Sequence, residues 1–184
     1  MKTGDDIIYI ERTLAGDTAA FSVLVDRYQA LVYSLVIKIL RHREDAEDFT
    51  QNIFVKAFLS LDKFRNESCF STWLCRIAYN TAISQMRRVK PVTIEINEEI
   101  TEDTYPEHVD DLREIRLQKL QQSMALLSSD DAILISLYYQ HGKSMDEIAE
   151  ITGMSTSNAK VRIHRIRQKL YHEIKKIEQD ECTT

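Results

Sequence analysis

The sequence predicts an all-α protein made of two small helical domains joined by an acidic flexible linker, the C-terminal domain being a helix-turn-helix. Three observations carry this. Only 4 glycines and 2 prolines occur in 184 residues, an economy that suits a nearly unbroken series of helices. Apolar residues recur at spacings of three and four over long stretches, the period of helices with one buried face. The net charge of -5 is also unevenly spread. Residues 91–112 carry 8 Asp+Glu and 0 Lys+Arg, against 11 and 13 in residues 1–90 and 10 and 11 in residues 113–184.

The acidic stretch, "PVTIEINEEITEDTYPEHVDDL", contains Pro91 and Pro106 and no sustained helical period. It reads as a linker, 91–112, between a domain at 1–90 and a domain at 113–184. With 43% hydrophobic residues the chain has enough apolar mass for real cores. Cys69, Cys75 and Cys182 are odd in number and lack CxxC spacing, so neither a disulfide framework nor a thiolate zinc site is expected, and a reducing cytoplasm fits. The longest apolar run, Ala30 to Leu40, falls far short of the roughly 20 residues a bilayer span needs and contains Lys38. A buried helix is expected there, with no direct membrane insertion. The N-terminus turns acidic at once, so no secretory signal is expected. Glycine spacing rules out phosphate-cradling loops, HExxH and GxSxG are absent, and the histidines are scattered. No catalytic residue, metal or cofactor is expected.

In the first domain, "EDAEDFTQNIFVKAFLSLDKF" places Ala46, Phe49, Ile53, Ala57 and Leu61 on the inward stripe of a helix. Its outward arc carries Asp48, Gln51, Asn52, Val55 and Leu59, a mixture of carboxylate, amides and exposed aliphatics that fits an interface better than a solvated face. Sandwiching between neighbours in a bundle is the plainer alternative. Next, in "FRNESCFSTWLCRIAYNTAISQMRR", a polar loop from Arg65 through Asn66 to Ser71 leads into a helix. Trp73, Ile77 and Ala78 can pack inward there while Arg76, Asn80, Arg87 and Arg88 remain available. A basic, amide-bearing helix after a polar loop suits a nucleic-acid strand; Trp73 reads as core rather than as a stacking platform.

In the second domain, an apolar helix from Asp131 to Gln140 precedes "SMDEIAEITGMSTSNAKVRIHRIRQKL". Ser144 and Glu147 form a capping-box signature, Ile148, Ala149 and Ile151 make a short helix, and Gly153 is placed to end it. A second helix starts near Ser155 with Ala159, Ile163, Ile166, Leu170, Ile174 and Ile177 on one stripe. Opposite lie Ser157, Asn158, Val161, His164, Arg165 and Gln168. Lys160 and Arg167 flank one side, and Arg162 and Lys169 the other. No acidic residue occurs from Ser155 to His172. This is a helix-turn-helix whose second helix suits the major groove, with His164 and Arg165 toward base edges and Lys160, Arg162 and Lys169 toward phosphates. A solvated basic helix on a bundle is the alternative.

In order along the chain, "AEDFTQNIF", "FSTWLCRIAYN" and "MDEIAEITGMSTSNAKVRIHRIRQKL" resemble the bacterial RNA polymerase sigma factors of the small extracytoplasmic-function group. The resemblance covers nearly the whole chain. It implies that the first domain binds the clamp helices of the largest subunit of core RNA polymerase and holds the minus-ten promoter element, while the second domain reads the minus-thirty-five element of promoter DNA. By the same resemblance Asp48 and Gln51 look like polymerase contacts, and Asn80 and Arg88, with the loop from Arg65 through Asn66 to Ser71, look like minus-ten contacts. The facing positions add Asn52 and Val55 to the polymerase set, Arg87 to the minus-ten set, and Ser157, Asn158, Lys160, Val161, Arg162, His164 and Arg165 as the minus-thirty-five set. The linker would lie in the polymerase's RNA-exit path, or serve as a plain solvated spacer. An anti-sigma factor that occludes both domains is expected as a further partner. Promoter opening would draw on binding energy, with a flipped base held in a pocket offsetting a few kcal/mol of unstacking. The chain departs from the family pattern at Asn52, where an acidic residue is common, at Ser84, where an aspartate is common, and at "SNAK", which replaces the frequent "GTVK". A free-standing helix-turn-helix regulator and a metal-dependent hydrolase built on His42, Glu44, Asp45, Glu47 and Asp48 are the rival functions.

Overall fold

The computed structural model describes residues 4–40, 42–88 and 111–181, and among these the regular structure is entirely helical. The acidic stretch 91–112 lies outside the described residues except for its last two, with which a helix begins. The first domain comprises α1 (Gly4–Leu14), α2 (Ala20–Leu40), α3 (Arg43–Leu59), a single 3-10 turn (Leu61–Lys63) and α4 (Phe70–Arg88). The second comprises α5 (Asp111–Ala125), α6 (Ser129–Tyr139), α7 (Met145–Thr152) and α8 (Thr156–Glu181).

The apolar run ending at Leu40 belongs to α2, which buries Leu24, Tyr28, Val32, Leu35, Val36 and Ile39 and forms the axis of the molecule. Helices α1, α3 and α4 pack around it. Helix α1 is tied down by Asp6, 4% exposed, which accepts hydrogen bonds from Arg27 and from the Tyr28 hydroxyl. Burial and the neighbouring carboxylate both push the Tyr28 phenol upward. A buried carboxylate is tolerated only when so paired. Among the described residues, no helix is long and apolar enough to cross a membrane.

Two cores result. One lies inside the first domain and includes Leu24, Tyr28, Val32, Ile53, Phe54, Ala57, Leu61, Phe70 and Leu74. Phe64, Phe70 and Trp73 stack edge-on or tilted within 5.7 Å of one another, with Trp73 half-buried as part of that wall. The other core is shared. Leu35, Ile39, Cys75, Ala82 and Ile83 of the first domain join Leu127, Ile133, Leu134, Leu137, Ile148, Ile151, Ala159, Ile163, Ile166 and Leu170 of the second. Thus α6 rests on α2 and α7 on α4. The sequence predicts two domains but not their docking, because each docking side chain also sits at an ordinary core position of its own helix.

Candidate functional site

The capping box forms as expected. Ser144 Oγ accepts the Glu147 amide at 3.2 Å, and Glu147 Oε2 accepts the Ser144 amide at 2.9 Å. Gly153 ends α7 at φ 73°, a left-handed conformation in which any side chain would be strained. Ser155 then caps α8, its hydroxyl accepting the Asn158 amide at 3.2 Å, and Thr156 donates to Asp146 Oδ1 at 2.8 Å, fastening α8 to α7. These short contacts fix the direction of the second helix. Ala159, Ile163, Ile166 and Leu170 are buried, whereas Ile174 and Ile177, beyond the domain's edge, are only half-buried.

The opposite face is open. Ser157, Asn158, Lys160, Val161, His164 and Arg165 are exposed along the first three turns of α8. Arg162 differs. Its Nε donates to Asp131 Oδ1 at 2.8 Å and its Nη2 lies 3.5 Å from Asp130 Oδ2, both on α6. Burial opposes its charge, and the two aspartates outweigh that and push its pKa upward. The sequence places Arg162 among phosphate contacts; the structure uses it as an internal tie between α8 and α6. Lys169 is exposed but donates to the Leu126 carbonyl at 3.2 Å. Asp131, Asn158, Arg162, Arg165, Ile166 and Lys169 line one cleft beside the open face.

On α3 the outward arc is exposed throughout: Asp48, Gln51 and Asn52 with Val55 at 56% and Leu59 at 74%. Phe58, which the helical pattern does not single out, adds to this apolar strip. The inward face is broader than the sequence predicts, since Thr50 and Phe54 are buried while Phe49 is half-buried. At the N-terminus of α3, His42 pairs with Asp45 at 3.4 Å and Arg43 with Glu47 at 3.1 Å, all exposed. Among the described residues, no three His, Cys, Asp or Glu side chains converge to hold a metal ion.

In the loop before α4, Arg65 and Asn66 are exposed, and Asn66 takes φ 56°, a conformation asparagine tolerates better than most residues. Asn80 is exposed on α4, and its carbonyl accepts the Ser84 hydroxyl at 2.7 Å. The backbone of α4 runs through Arg87 and Arg88, whose side chains lie outside the described residues. Ser71 is not free. Its Oγ accepts from Lys143 Nζ at 2.7 Å.

Residues 24–91 match the family model "Sigma-70 region 2", and residues 117–170 match "Sigma-70, region 4". The chain is 33% identical to the ECF RNA polymerase sigma-E factor of Escherichia coli (strain K12) over 184 residues, spanning 92% of this chain and 94% of that one. The chain belongs to the ECF RNA polymerase sigma factors. It is 31% identical to the ECF RNA polymerase sigma factor SigW of Bacillus subtilis (strain 168) over 179 residues, 90% of this chain and 95% of that one. The fold of this sigma factor superposes with a TM-score of 0.63, at 25% identity and 84% and 96% coverage, on the Bartonella quintana sigma factor RpoE, solved in complex with the anti-sigma factor NepR. Helices α3 and α4 fall inside the region 2 match, the exposed face of α8 from Ser157 to Arg165 falls inside the region 4 match, and α1 precedes both.

Sequence reasoning missed the residues between the domains. Lys143 Nζ, in a residue only 8% exposed, reaches Ser71 Oγ at 2.7 Å, Thr72 Oγ1 at 3.0 Å and Glu147 Oε1 at 2.9 Å. Thr72, fully buried, donates to Glu147 Oε1 at 2.7 Å. Burial pushes the Glu147 carboxyl up, but the bonds from Ser144, Thr72 and Lys143 prevail and hold it down at about 2. Nearby, Ser34 Oγ and His141 Nε2 are 2.8 Å apart. No local pattern announces contacts between residues some seventy or a hundred positions apart.

Proposed function

We propose that this ECF sigma factor engages core RNA polymerase through the exposed arc of α3 and reads a promoter with its two domains. The loop from Arg65 to Ser71 and the Asn80 face of α4, continuing to Arg87 and Arg88, take the minus-ten element. Ser157, Asn158, Lys160, Val161, His164 and Arg165 take the minus-thirty-five element. The observation that carries this reading is the occurrence, in one chain and in family order, of both sigma-70 regions, each with its candidate contact face turned to solvent. Sigma factors are initiation factors and not enzymes; the chain works in the cytoplasm, on binding energy alone. An anti-sigma factor is its expected antagonist, as NepR is a partner of the similar Bartonella quintana protein.

Purified protein should bind core RNA polymerase tightly and bind promoter DNA alone weakly, with selectivity appearing only in the joint complex. Asp48→Arg should leave circular dichroism unchanged, because surface substitutions alter stability by no more than about 0.5 kcal/mol. It should abolish core binding and promoter-specific transcription, since a reversed charge at an interface can cost several kcal/mol. A parent that ignores core polymerase while binding a palindrome would instead establish a free-standing regulator.

A further inference from the structure

The two contact faces read DNA elements whose centres lie about 25 base pairs apart, or roughly 85 Å at about 3.4 Å per pair. A compact body of this chain length has a radius of gyration near 16 Å and a diameter of about 40 Å. The docked arrangement therefore cannot hold both elements. Drawn out, the roughly 22 residues between Arg88 and Asp111 reach about 75 Å, so the covalent chain permits separation and the docking contacts oppose it.

Those contacts are specific. The apolar part comprises Leu35, Ile39, Cys75, Ala82 and Ile83 against the second domain. The polar part is the cluster of Lys143, Glu147, Thr72 and Ser71, in which α4 contributes two hydroxyls and the second domain an ammonium and a carboxylate. Separation returns Lys143 to water, where it needs no partner. Docking buries it, where each lost partner is costly. Ser71, in the first turn of α4, belongs both to this cluster and to the stretch from Arg65 to Ser71 that takes the minus-ten element, so it cannot serve both at once.

We propose that the docked arrangement is a self-inhibited state of the sigma factor, and that the Lys143–Glu147–Thr72–Ser71 cluster is the latch that holds it shut. This rests on the sigma-factor reading given above. Core polymerase selects the separated state, so its apparent affinity is reduced by the fraction of chains that are latched.

The test uses the full chain, with small-angle scattering of the free protein and titration with core RNA polymerase. Glu147→Gln keeps an acceptor for the α7 cap while leaving the Lys143 ammonium buried without its counter-charge. Thr72→Val keeps the shape and removes the hydroxyl. The parent should be compact, with a radius of gyration near 16 to 18 Å. Both variants should expand by a quarter or more at unchanged helical content and bind core three- to tenfold more tightly. An expanded parent, or variants that stay compact with parental affinity, would overturn the latch. If Glu147→Gln loses helicity, Thr72→Val decides alone by the same criteria. Expansion of both variants with no core binding by any form would uphold the latch and remove the sigma-factor reading instead.

Discussion

Arg162 and Arg165 lie three residues apart on α8 and have different work because different groups face them. Arg165 is exposed with no acidic neighbour on its own helix until Glu173, whereas Arg162 is held by Asp130 and Asp131. Asp130 Oδ1 is buried with no hydrogen-bond donor among the described residues, so the Arg162 charge offsets that burial. Arg165→Ala should cost about 1 to 3 kcal/mol of discrimination at one promoter position, and Lys160→Ala should weaken all sequences alike and reduce the salt slope by about one. Arg162→Ala should act on the fold, lowering unfolding stability by about 1 to 2 kcal/mol, toward the low end for charged hydrogen bonds because it is partly exposed. Denaturant titration alongside promoter binding separates the three. Equal, sequence-independent losses from Arg165→Ala and Lys160→Ala would refute the division between base edge and phosphate. The helical period reveals which way Arg162 points, but its partners are 31 and 32 positions away on another helix, which is why its role was not legible.

At the scale of elements, what the sequence specified locally appears in the structure. The Ser144–Glu147 spacing gives the cap, Gly153 gives the left-handed stop, and the three-and-four spacing gives the buried stripe of α8. Ser144→Ala should cost about 1 kcal/mol in thermal or denaturant unfolding, as loss of an N-cap generally does. The second use of Glu147, against α4, was hidden because its partner Thr72 is 75 positions away. A pH response follows from the neighbouring contact. Burial lowers the pKa of His141 below its ordinary 6.5, and Lys38 of α2 and Lys143 lower it further, while Ser34 of α2 bonds its ring. The separated state therefore takes up the proton first. Docking is fully favoured above pH 6.5 and weakens as pH falls through the depressed value. Scattering should show expansion between pH 7.5 and 5.5, and His141→Gln, which cannot charge, should flatten the response over that interval; an unchanged radius in the parent would refute it.

For the whole molecule, the shared core decides how the chain responds to damage. If the two domains were independent bodies on a tether, a cavity in one would leave the other untouched. Leu35, 1% exposed on α2, instead packs in the core that also holds Ile133 and Leu137 of α6 and Ile163 and Ile166 of α8. Leu35→Ala should cost about 2 to 5 kcal/mol, because a buried leucine loses both its transfer free energy and the contacts around the cavity left behind. For a chain of this length each kcal/mol lowers the midpoint by about 2 to 4 °C, so a drop of several degrees is expected. The decisive observation is where protection is lost. Hydrogen exchange should accelerate in the amides of α6 and α8 as well as in α2, because undocking exposes the second domain's half of the same core. Exchange that quickens in α2 and its neighbours in the first domain while α8 keeps its full protection would mean that docking contributes nothing to the protection of the second domain.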